Sequence, residues 1–356
     1  MTTLKRLELL GRRLLVAVAA LLLGVRRHTL TLSETPRILV VRLDERLGNL
    51  LLLTPLLDSL RARFPLARIE VLVNARGVEI IGRHPAVDEA IAFRKRALAQ
   101  PDGPLRTPVQ LRARHYDLVI DAANPTDPSA TQALLVRFAG ARYTVGPTSA
   151  GFGRLYAAPV VIDPSELHEI DLRLQLLRPV PGSACVRAMS APLFPVPAVG
   201  SALERWRKDL AKNRWGVLNV GARLTEKRLD AAAYARLGET MAQEGIAPVV
   251  TYGPSERELA REVVSRVATA RLAPPTDVAQ LAWIMRQACC VVSCDTGPMH
   301  LAVSLRTPTC GIFVSTDPRR YGHATPPHAV IDGRKSTVAA WRPELARWLA
   351  KLGVTP

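Results

Sequence analysis

The sequence predicts an α/β fold of two doubly wound, Rossmann-like domains that face a central cleft. Three observations predict it. Short runs rich in Val, Ile and Leu alternate with helical segments along most of the chain, which is typical of βαβ units and a parallel sheet. This alternation is interrupted once, by a proline-rich stretch, and then begins again. The length of 356 residues suits two domains of ordinary size.

The first domain is assigned to residues 36–180. Short apolar runs rich in β-branched residues predict its buried strands at 37–43, 68–73, 88–93, 116–122 and 142–146. Helical segments are predicted at 49–64 and around 132–138. Strands of this kind, connected by helices, form a parallel sheet whose carboxyl ends lie at one edge.

A proline-rich linker is assigned to residues 181–200, because neither a helix nor a central strand tolerates so many prolines. The second domain is assigned to 201–335 and a C-terminal helix to 336–356. The predicted strands of this half are 215–220, 247–252, 290–294 and 310–314. Its predicted helices are 231–244, 256–267, 277–287, 299–305 and 338–352.

The charge balance favours an anionic partner. The formal net charge is +17, whereas aromatic residues make up only 5% of the chain. The basic residues are not interleaved with aromatic ones, and no nucleic-acid-binding motif stands out. We therefore expect a phosphorylated substrate or an acidic membrane surface as the partner, and no nucleic acid.

The five cysteines form an odd number and include no CxxC pair. This pattern argues against a disulfide framework and against a structural zinc site, so no metal is expected. Most of them lie in or beside apolar strand-like runs, where a free cysteine behaves as a small hydrophobic residue. A reducing, cytoplasmic location is the simplest interpretation.

Residues 1–35 are interpreted as a membrane-associating segment. The apolar run 14–25 is flanked on both sides by pairs of arginines. It is shorter than the about 20 residues that a spanning helix needs. A helix lying on the anionic inner face of the membrane fits this pattern, which makes the protein peripheral and cytoplasmic. A signal-peptide core and a helix packed on the protein's own surface remain alternatives.

The turn that follows the predicted strand 290–294 has the residues of a phosphate site. Asp295, Thr296 and Gly297 lead into a helix that contains His300. Amides at a helix start lack intrahelical partners, and the helix dipole favours negative charge there. Gly297 permits close approach to the backbone, and Thr296 adds a hydroxyl. Ordinary capping of the helix by Asp295 or Thr296 is the alternative.

A second glycine turn follows the predicted strand 215–220. Gly221 begins this polar turn, and Lys227 comes shortly before the next helix. A lysine beside a glycine turn can hold a diphosphate group. A solvated basic loop is the alternative interpretation of the same residues.

Two acidic residues follow the first predicted strand. Asp44 and Glu45 precede Gly48, which lies at the start of the next helix. A carboxylate at the carboxyl end of a parallel strand stands where a general base is expected. The alternative is that these acids serve only the dipole of the helix that follows.

Together these segments resemble glycosyltransferase family 9, the heptosyltransferases of lipopolysaccharide core assembly. The likeness covers roughly residues 36–325, and its most specific part is DTGPMHLAVSLRTPTCGIFVSTDP at 295–318. NVGARLTEK at 219–227, TYGPSERE at 251–258 and RFP at 63–65 agree with the family in order and spacing. The resemblance implies a GT-B fold, an inverting transfer with ADP-heptose as the usual donor, and no obligatory metal or other cofactor.

The resemblance also implies roles for individual residues. Thr296, Gly297 and the amides leading to His300 would hold the diphosphate, with help from Lys227 and the turn at Gly221. Asp295 would contact hydroxyl groups of the sugar. Glu256 would lie near the ribose of the nucleotide, with Glu258 as the rival for that role.

One position departs from the family. Its first loop usually ends in Gly-Asp, and that aspartate is the proposed base, whereas here Gly48 is followed by Asn49. An amide cannot accept the acceptor's proton. The loop before Gly48 is longer and supplies Asp44 and Glu45, and our hypothesis is that Asp44, which is nearer the strand, replaces the missing base.

The reaction that follows from this resemblance is transfer of a sugar, heptose first, from a nucleotide-diphosphate donor to an anionic lipid-linked saccharide such as the lipopolysaccharide core. Two alternatives remain. A nucleotide-sugar epimerase of the same fold would change its donor without any acceptor. A non-catalytic nucleotide-sugar-binding paralogue would have lost its base, for which Asn49 gives a reason.

Overall fold

The computed structural model describes residues 29–95, 103–124, 129–163, 165, 168–210 and 214–353. The apolar run 14–25 of the predicted membrane-associating segment lies outside these residues. No helix within them is long and apolar enough to cross a bilayer. The chain divides into two compact units between Pro192 and Leu193, a boundary that lies inside the predicted linker.

The first unit is built on a six-stranded sheet with the order β3-β2-β1-β4-β5-β6, in which every pair of neighbours is parallel. Its strands are β1 (Arg37–Arg42), β2 (Arg68–Asn74), β3 (Glu89–Phe93), β4 (Leu118–Asp121), β5 (Tyr143–Pro147) and β6 (Ala158–Val160). Its helices are α1 (Leu47–Leu51), α2 (Thr54–Arg63), α3 (Ala75–Ile81), α4 (Thr107–Arg112), α5 (Ala130–Phe138) and α6 (Glu169–Leu174).

β1 is the central strand of this sheet and pairs with both β2 and β4. Its residues from Ile38 onward are all buried, since helices cover both faces of a doubly wound sheet. Leu39 and Val41 point into a core that also contains Val119 and Val136. This packing holds the carboxyl end of β1, and therefore the loop that carries Asp44, on a rigid strand.

The second unit repeats the architecture in a sheet with the order β12-β11-β10-β7-β8-β9, again parallel throughout. Its strands are β7 (Trp215–Val220), β8 (Ala247–Tyr252), β9 (Arg271–Leu272), β10 (Val291–Cys294), β11 (Thr309–Phe313) and β12 (Ala329–Asp332). Its helices are α7 (Ala202–Leu210), α8 (Ala231–Gln243), α9 (Arg257–Arg266), α10 (Val278–Gln287), α11 (Gly297–Ser304), α12 (Pro318–Tyr321) and α13 (Val338–Leu352).

Each sheet has one point where the strand order reverses, and it lies between two central strands. In the first unit these strands are β1 and β4, and in the second they are β7 and β10. The connections that leave such a pair diverge to opposite faces of the sheet, which opens a crevice at the carboxyl ends of the strands. Asp44 follows β1, Gly221 follows β7 and Asp295 follows β10, so all three lie at these points.

The helix predicted at 49–64 is wrong in its continuity, because the structure divides it into α1 and α2. Pro55 has no amide proton and cannot bond to the carbonyl of Leu51. The hydroxyl of Thr54 donates to that carbonyl instead, at 2.9 Å. The prediction also missed the short strands β6, β9 and β12, which lie at or next to the edges of the sheets.

Candidate active site

The turn after β10 leaves the start of α11 without a side-chain cap. Thr296 is the N-cap residue with extended backbone angles, but its side chain makes no capping hydrogen bond. Its hydroxyl donates instead to the carbonyl of Cys294 at 3.2 Å. The same hydroxyl lies 3.1 Å from the hydroxyl of Ser293. Capping by Asp295 or Thr296 was the alternative interpretation of this turn, and the structure shows no capping hydrogen bond from the N-cap residue Thr296. The amides at the start of α11 keep their capacity to bind an anion.

Asp295 is the centre of a polar cluster at this turn. Its Oδ2 accepts hydrogen bonds from Lys227 Nζ and from the hydroxyl of Thr316, both at 2.6 Å. Its Oδ1 lies 3.7 Å from Nε2 of His300. Burial alone would raise the pKa of Asp295, but the nearby imidazole of His300, together with the hydrogen bonds from Lys227 and Thr316, holds that pKa well below its usual range.

A second histidine extends this cluster. His323 lies on the segment that follows α12, and its Nε2 is 3.0 Å from Nδ1 of His300. The two rings meet edge to face, with their planes at 88° and their centroids 5.2 Å apart. His300 therefore has Asp295 on one side and His323 on the other. The arrangement fixes the orientation of the His300 ring beside the turn.

The turn after β7 brings Gly221 against Glu256. Gly221 has φ of +99°, a conformation that favours glycine, and a Cβ atom at this position would collide with the side chain of Glu256. Glu256 is buried, and Ser255 donates a hydrogen bond to its Oε1 at 2.8 Å. The rival residue Glu258 has a side chain that is 82% exposed and pairs with Arg261 on the surface of α9. Of the two acids, only Glu256 adjoins the glycine turn.

Tyr234 connects the two turns. Its hydroxyl accepts a hydrogen bond from the amide of Gly221 at 3.2 Å and lies 3.5 Å from the sulfur of Cys294, the residue before Asp295. Burial, with the nearby thiol, raises the pKa of Tyr234, so its hydroxyl stays neutral. The structure thus brings Gly221, Glu256, Lys227 and the residues from Asp295 to His300 to one edge of the second sheet.

The sequence did not identify three residues of this cluster. They are Thr316, Tyr321 and His323, and the ring of Tyr321 lies 5.7 Å from the ammonium of Lys227. Thr316 follows the carboxyl end of β11, the neighbour of β10, and this position was a signal that could have found it. For His323 we see no comparable signal, because it lies beyond a short helix in an irregular segment.

In the first unit, Asp44 is held by arginines. Arg46 donates to it from its backbone amide at 2.9 Å and from its guanidinium at 2.9 and 3.0 Å, and Arg42 donates at 3.2 Å. The side chain of Asp44 is only 14% exposed. Burial raises its pKa, but the hydrogen bonds from Arg46 and the charge of Arg42 outweigh burial and hold the pKa well below its usual range.

Asn49, at the position where the family's aspartate is expected, contacts this carboxylate directly. Its Nδ2 donates to Oδ2 of Asp44 at 2.6 Å. Glu45, the other candidate, is exposed, and no hydrogen bond or ion pair joins it to any residue that the structure describes. Asp44 is therefore the acid that stands beside the family's position, whereas Glu45 points into solvent.

Comparison with known proteins agrees with this architecture. Residues 105–339, more than half of the chain, match the family model of glycosyltransferase family 9 (heptosyltransferase). Lipopolysaccharide heptosyltransferase 3 of Escherichia coli (strain K12) is 26% identical over 293 residues, which cover 76% of this chain and 80% of that protein.

Two solved structures show the same fold. A family 9 glycosyltransferase from Veillonella parvula superposes with a TM-score of 0.74 at 18% identity, over 92% of this chain and 98% of that one. The ADP-heptose lipopolysaccharide heptosyltransferase II of E. coli superposes with a TM-score of 0.66 at 20% identity, over 89% and 100%. The predicted family and the predicted GT-B class of two Rossmann-like domains are confirmed. The chain belongs to glycosyltransferase family 9 and is a glycosyltransferase.

Proposed function

We propose that the protein transfers heptose from ADP-heptose, with inversion at the anomeric carbon, onto the lipopolysaccharide core or a related lipid-linked saccharide. The names of the relatives support this choice of donor and acceptor. The observation that carries the proposal is the ion pair of Lys227 and Asp295 at the uncapped start of α11. A cation and free amides at the switch point of a parallel sheet suit a leaving diphosphate.

The donor occupies the cluster of the second unit. The amides at Thr296 and Gly297 and the ammonium of Lys227 bind the diphosphate and stabilise the charge that builds on it as the sugar leaves. Such preorganised groups contribute about 3–4 kcal/mol each in other enzymes. Asp295 binds hydroxyl groups of the sugar through Oδ1, which carries only the distant contact with His300.

The nucleoside lies over the glycine turn after β7. Glu256, buried beside Gly221, binds the hydroxyl groups of the ribose. Gly221 and Gly253 both lack the Cβ atom that would displace the Glu256 side chain. The two glycines therefore keep this carboxylate at the carboxyl ends of β7 and β8.

The acceptor is served by the first unit, where Asp44 accepts the proton of its hydroxyl group. Basic residues follow the neighbouring strands at the same edge of the sheet: Arg46 after β1, Arg76 after β2 and Lys95 after β3. They suit the phosphate or carboxylate groups of an anionic saccharide. The basic surplus of the chain is consistent with such a substrate.

Turnover with ADP-heptose and a lipopolysaccharide-core acceptor tests the function. Asp44→Asn is expected to abolish transfer, whereas Glu45→Gln is expected to leave it near the level of the unaltered enzyme. Near-normal transfer by Asp44→Asn would remove Asp44 from the role. A donor that is altered in the absence of acceptor would indicate the epimerase, and binding without turnover would indicate the non-catalytic paralogue.

Residues 1–35 hold the enzyme on the cytoplasmic face of the inner membrane, where a lipid-linked acceptor is exposed. Deletion of residues 1–30 is expected to weaken binding to anionic phospholipid vesicles while sparing transfer to a soluble acceptor fragment. Unchanged vesicle binding would reject the anchor. Loss of transfer to the soluble fragment would mean that the segment serves folding or catalysis instead.

A further inference from the structure

Helix α4 carries apolar side chains on its exposed side as well as on its buried side. The turn that precedes α4 is helical too, since the amide of Thr107 donates to the carbonyl of Gly103 at 3.0 Å. Thr107 and Leu111 face the core and are buried. Leu105 and Val109 each lie two positions from Thr107, which turns them about 200° away from it in a helix of about 3.6 residues per turn. They are 68% and 69% exposed, so the outer side of α4 leaves two large apolar side chains in water.

Helix α5 extends this surface. It packs beside α4, and Leu111 of α4 and Val136 of α5 belong to the same core cluster. Phe138, the last residue of α5, is 40% exposed. Gly140 follows shortly, and a Cβ atom there would lie 3.0 Å from Cγ of Arg112. The ends of the two helices therefore adjoin, and Phe138 lies near the outer side of α4.

The charged side chains of this region have one sign. Residues 103–116 and 129–160 contain six arginines and neither Asp nor Glu. Three of these arginines are exposed and form no ion pair with any residue that the structure describes: Arg106, Arg112 and Arg142. We call these three arginines, together with Leu105, Val109 and Phe138, the α4–α5 face. It combines exposed apolar side chains with unpaired positive charge.

The N-terminal segment joins the first unit at one end of the α4–α5 face. Oγ1 of Thr31 lies 3.0 Å from the hydroxyl of Tyr143, the first residue of β5. The guanidinium of Arg142 lies over the ring of the same tyrosine, 5.2 Å from its centroid. The apolar run 14–25, with its flanking arginines, precedes Thr31 in the sequence. The chain that carries this run therefore enters the first unit beside Arg142.

The charges decide what can cover the α4–α5 face. Residues 1–28 contain six Lys or Arg residues and a single Glu, and the whole chain has a net charge of +17. A folded-back N-terminal segment or a second copy of the chain would therefore bring positive charge to a positive face. An anionic lipid surface brings the opposite charge and also accepts apolar side chains at the boundary of its headgroups. Of these three partners, only the lipid surface complements the face in both respects.

The direction of α4 relates this face to the acceptor side of the sheet. Arg114, just after α4, pairs with Glu70 and Glu89, which lie near the amino ends of β2 and β3. The end of α4 is therefore at the amino edge of the sheet, and Leu105, before its start, lies toward the carboxyl edge. Asp44 follows β1 at that carboxyl edge.

We propose that the α4–α5 face binds an anionic phospholipid surface and is a second membrane contact besides residues 1–35. The apolar side chains enter the boundary of the headgroups, and the arginines pair with lipid phosphates. The inference goes beyond the proposed function, because lipid binding requires neither donor nor acceptor. Where the acceptor is lipid-linked, this contact brings the carboxyl edge of the first sheet close to the surface that holds the acceptor.

The first experiment measures lipid binding without catalysis. The full chain is sedimented with vesicles of equimolar phosphatidylcholine and phosphatidylglycerol. Leu105→Ser combined with Val109→Ser should lower the vesicle partition coefficient about tenfold or more, since burial of two apolar side chains is lost. Arg106→Gln and Arg112→Gln should each lower it about fivefold, the factor for one basic residue near an anionic surface. Because these side chains are exposed, all four substitutions should leave the free energy of unfolding unchanged, which urea titration checks. Unchanged partition in all of these variants would overturn the inference.

The matched control lies on the opposite face of the same sheet. The crossovers that contain α2 and α3 lead from β1 toward β3, whereas those that contain α4 and α5 lead the other way toward β5. Because such crossovers are right-handed, the two pairs of helices cover opposite faces. Leu66 follows α2 and is 68% exposed, and Arg83 follows α3 and is also exposed. Leu66→Ser and Arg83→Gln should leave vesicle binding unchanged, and losses as large as those of the α4–α5 face would overturn the inference.

The second experiment identifies what covers the face. Val109→Cys carries a fluorophore that reports an apolar environment, in a background in which the exposed Cys185 is replaced by serine. Its emission should shift to the blue only when anionic vesicles are added, and the same label on Leu66→Cys should not respond. A blue shift without vesicles that grows with protein concentration would indicate a second copy. A shift without vesicles that is independent of concentration would indicate the chain's own N-terminal segment, and either result would overturn the inference.

A third comparison separates this inference from the other proposals. If deletion of residues 1–30 abolishes vesicle binding while Leu105→Ser with Val109→Ser has no effect in the full chain, the N-terminal segment alone holds the membrane and the α4–α5 face is rejected. If the face variants lose vesicle binding although no heptose transfer is found, the lipid contact stands and the proposed function fails. The two proposals therefore fail on different measurements.

Discussion

Lys227 and Asp295 form an ion pair in which Nζ lies 2.6 Å from Oδ2, and it joins the loops that follow β7 and β10. The two residues are 68 positions apart in the chain, and they meet only because parallel strands end at the same edge of the sheet. The lysine side chain is 23% exposed and that of the aspartate only 5%, so the cation is the partner that an entering diphosphate meets first.

Lys227→Met is expected to lower kcat about 100-fold to 1,000-fold, the effect typical of removing one group that stabilises charge in the transition state. The measurement is steady-state release of ADP from ADP-heptose in the presence of acceptor. Lys335→Met removes an exposed lysine of the same unit and should be without effect. Equal losses in both variants would point to a general effect of charge.

Thr316→Val tests the second hydrogen bond to Asp295. The hydroxyl of Thr316 donates to Oδ2 at 2.6 Å, and valine keeps the shape of the side chain without the donor. We expect kcat/KM for the donor to fall about 10-fold to 150-fold, because a hydrogen bond to a charged group contributes about 1.5–3 kcal/mol. Thr316→Ser should restore most of the activity, and failure of serine to do so would assign the loss to packing.

Gly221→Ala is expected to introduce both backbone strain and a steric collision, whereas Gly245→Ala introduces backbone strain alone. The alanine would have to adopt φ of +99°, and its Cβ would collide with Glu256. Gly245 also has positive φ, at +70°, but a Cβ there meets nothing within 4 Å. Gly245→Ala should therefore lower the free energy of unfolding by about 1–2 kcal/mol through backbone strain alone.

Gly221→Ala should lower the free energy of unfolding further and, in addition, weaken ADP binding, because Glu256 must move. Urea titration followed by circular dichroism measures the first effect, and calorimetric titration of ADP measures the second. If both variants lost stability equally and bound ADP equally, Glu256 would not depend on the missing side chain.

Asn49→Asp provides a test of the base hypothesis by restoration. In the background of Asp44→Asn, it places a carboxylate at residue 49, whose amide nitrogen lies 2.6 Å from Oδ2 of Asp44 in the unaltered protein. We expect the double variant to recover a measurable part of the transfer activity that Asp44→Asn loses. The rise of kcat with pH that reports deprotonation of the base should also return in the double variant, since a base acts only when it is deprotonated. An inactive double variant with normal ADP binding would contradict the exchange of roles.

The acid stability of the first unit should depend on Glu70. This buried carboxylate accepts hydrogen bonds from Arg68 at 2.7 Å, Arg114 at 2.6 Å and Tyr116 at 2.5 Å. Burial raises its pKa, but these bonds outweigh burial and lower the pKa to about 2. Because the pKa is lower in the folded state, the carboxylate stabilises the fold above its ordinary pKa, and this stabilisation is lost as the pH falls toward 2.

One pKa unit corresponds to about 1.4 kcal/mol, so the loss for Glu70 is about 3 kcal/mol. Glu70→Gln should therefore unfold more readily at neutral pH. Its free energy of unfolding should also fall less between about pH 5 and about pH 2, a range that includes the ordinary pKa of glutamate, than that of the unaltered protein. Urea titration at each pH measures both effects. Glu89→Gln, at a partly exposed partner of the same arginines, should show a smaller difference. Parallel acid profiles for Glu70→Gln and the unaltered protein would refute the assignment.

Much of the fold could be predicted because buried parallel strands leave a strong pattern. β1 and β7 are largely apolar runs. Polar residues follow β1 and a glycine turn follows β7, so both the strands and their carboxyl ends were readable. Edge strands such as β9 have only two residues and leave no such pattern. The break between α1 and α2 was missed because Pro55 suits the first turn of a helix as well as the end of one.

The candidate site was predictable only where its residues adjoin a strand. Asp295 and Gly221 follow β10 and β7 directly, and the strand pattern indicated where they lie. His323 is part of the cluster through a tertiary contact with His300 that no local pattern encodes. The hydrogen bonds from Arg46 to Asp44 could not be predicted either, because closeness in sequence does not determine the direction in which side chains point.

The phenol of Tyr234 has a consequence for the free energy of nucleotide binding. A single neutral hydroxyl touches the Gly221 amide and the Cys294 thiol, and so it braces both strands at the switch point before any ligand arrives. The distance between the two loops is thus set before binding. The protein therefore loses less conformational freedom when a nucleotide binds. Because these two loops are already ordered, the affinity for the nucleotide depends on the contacts that the nucleotide makes and not on ordering of the loops.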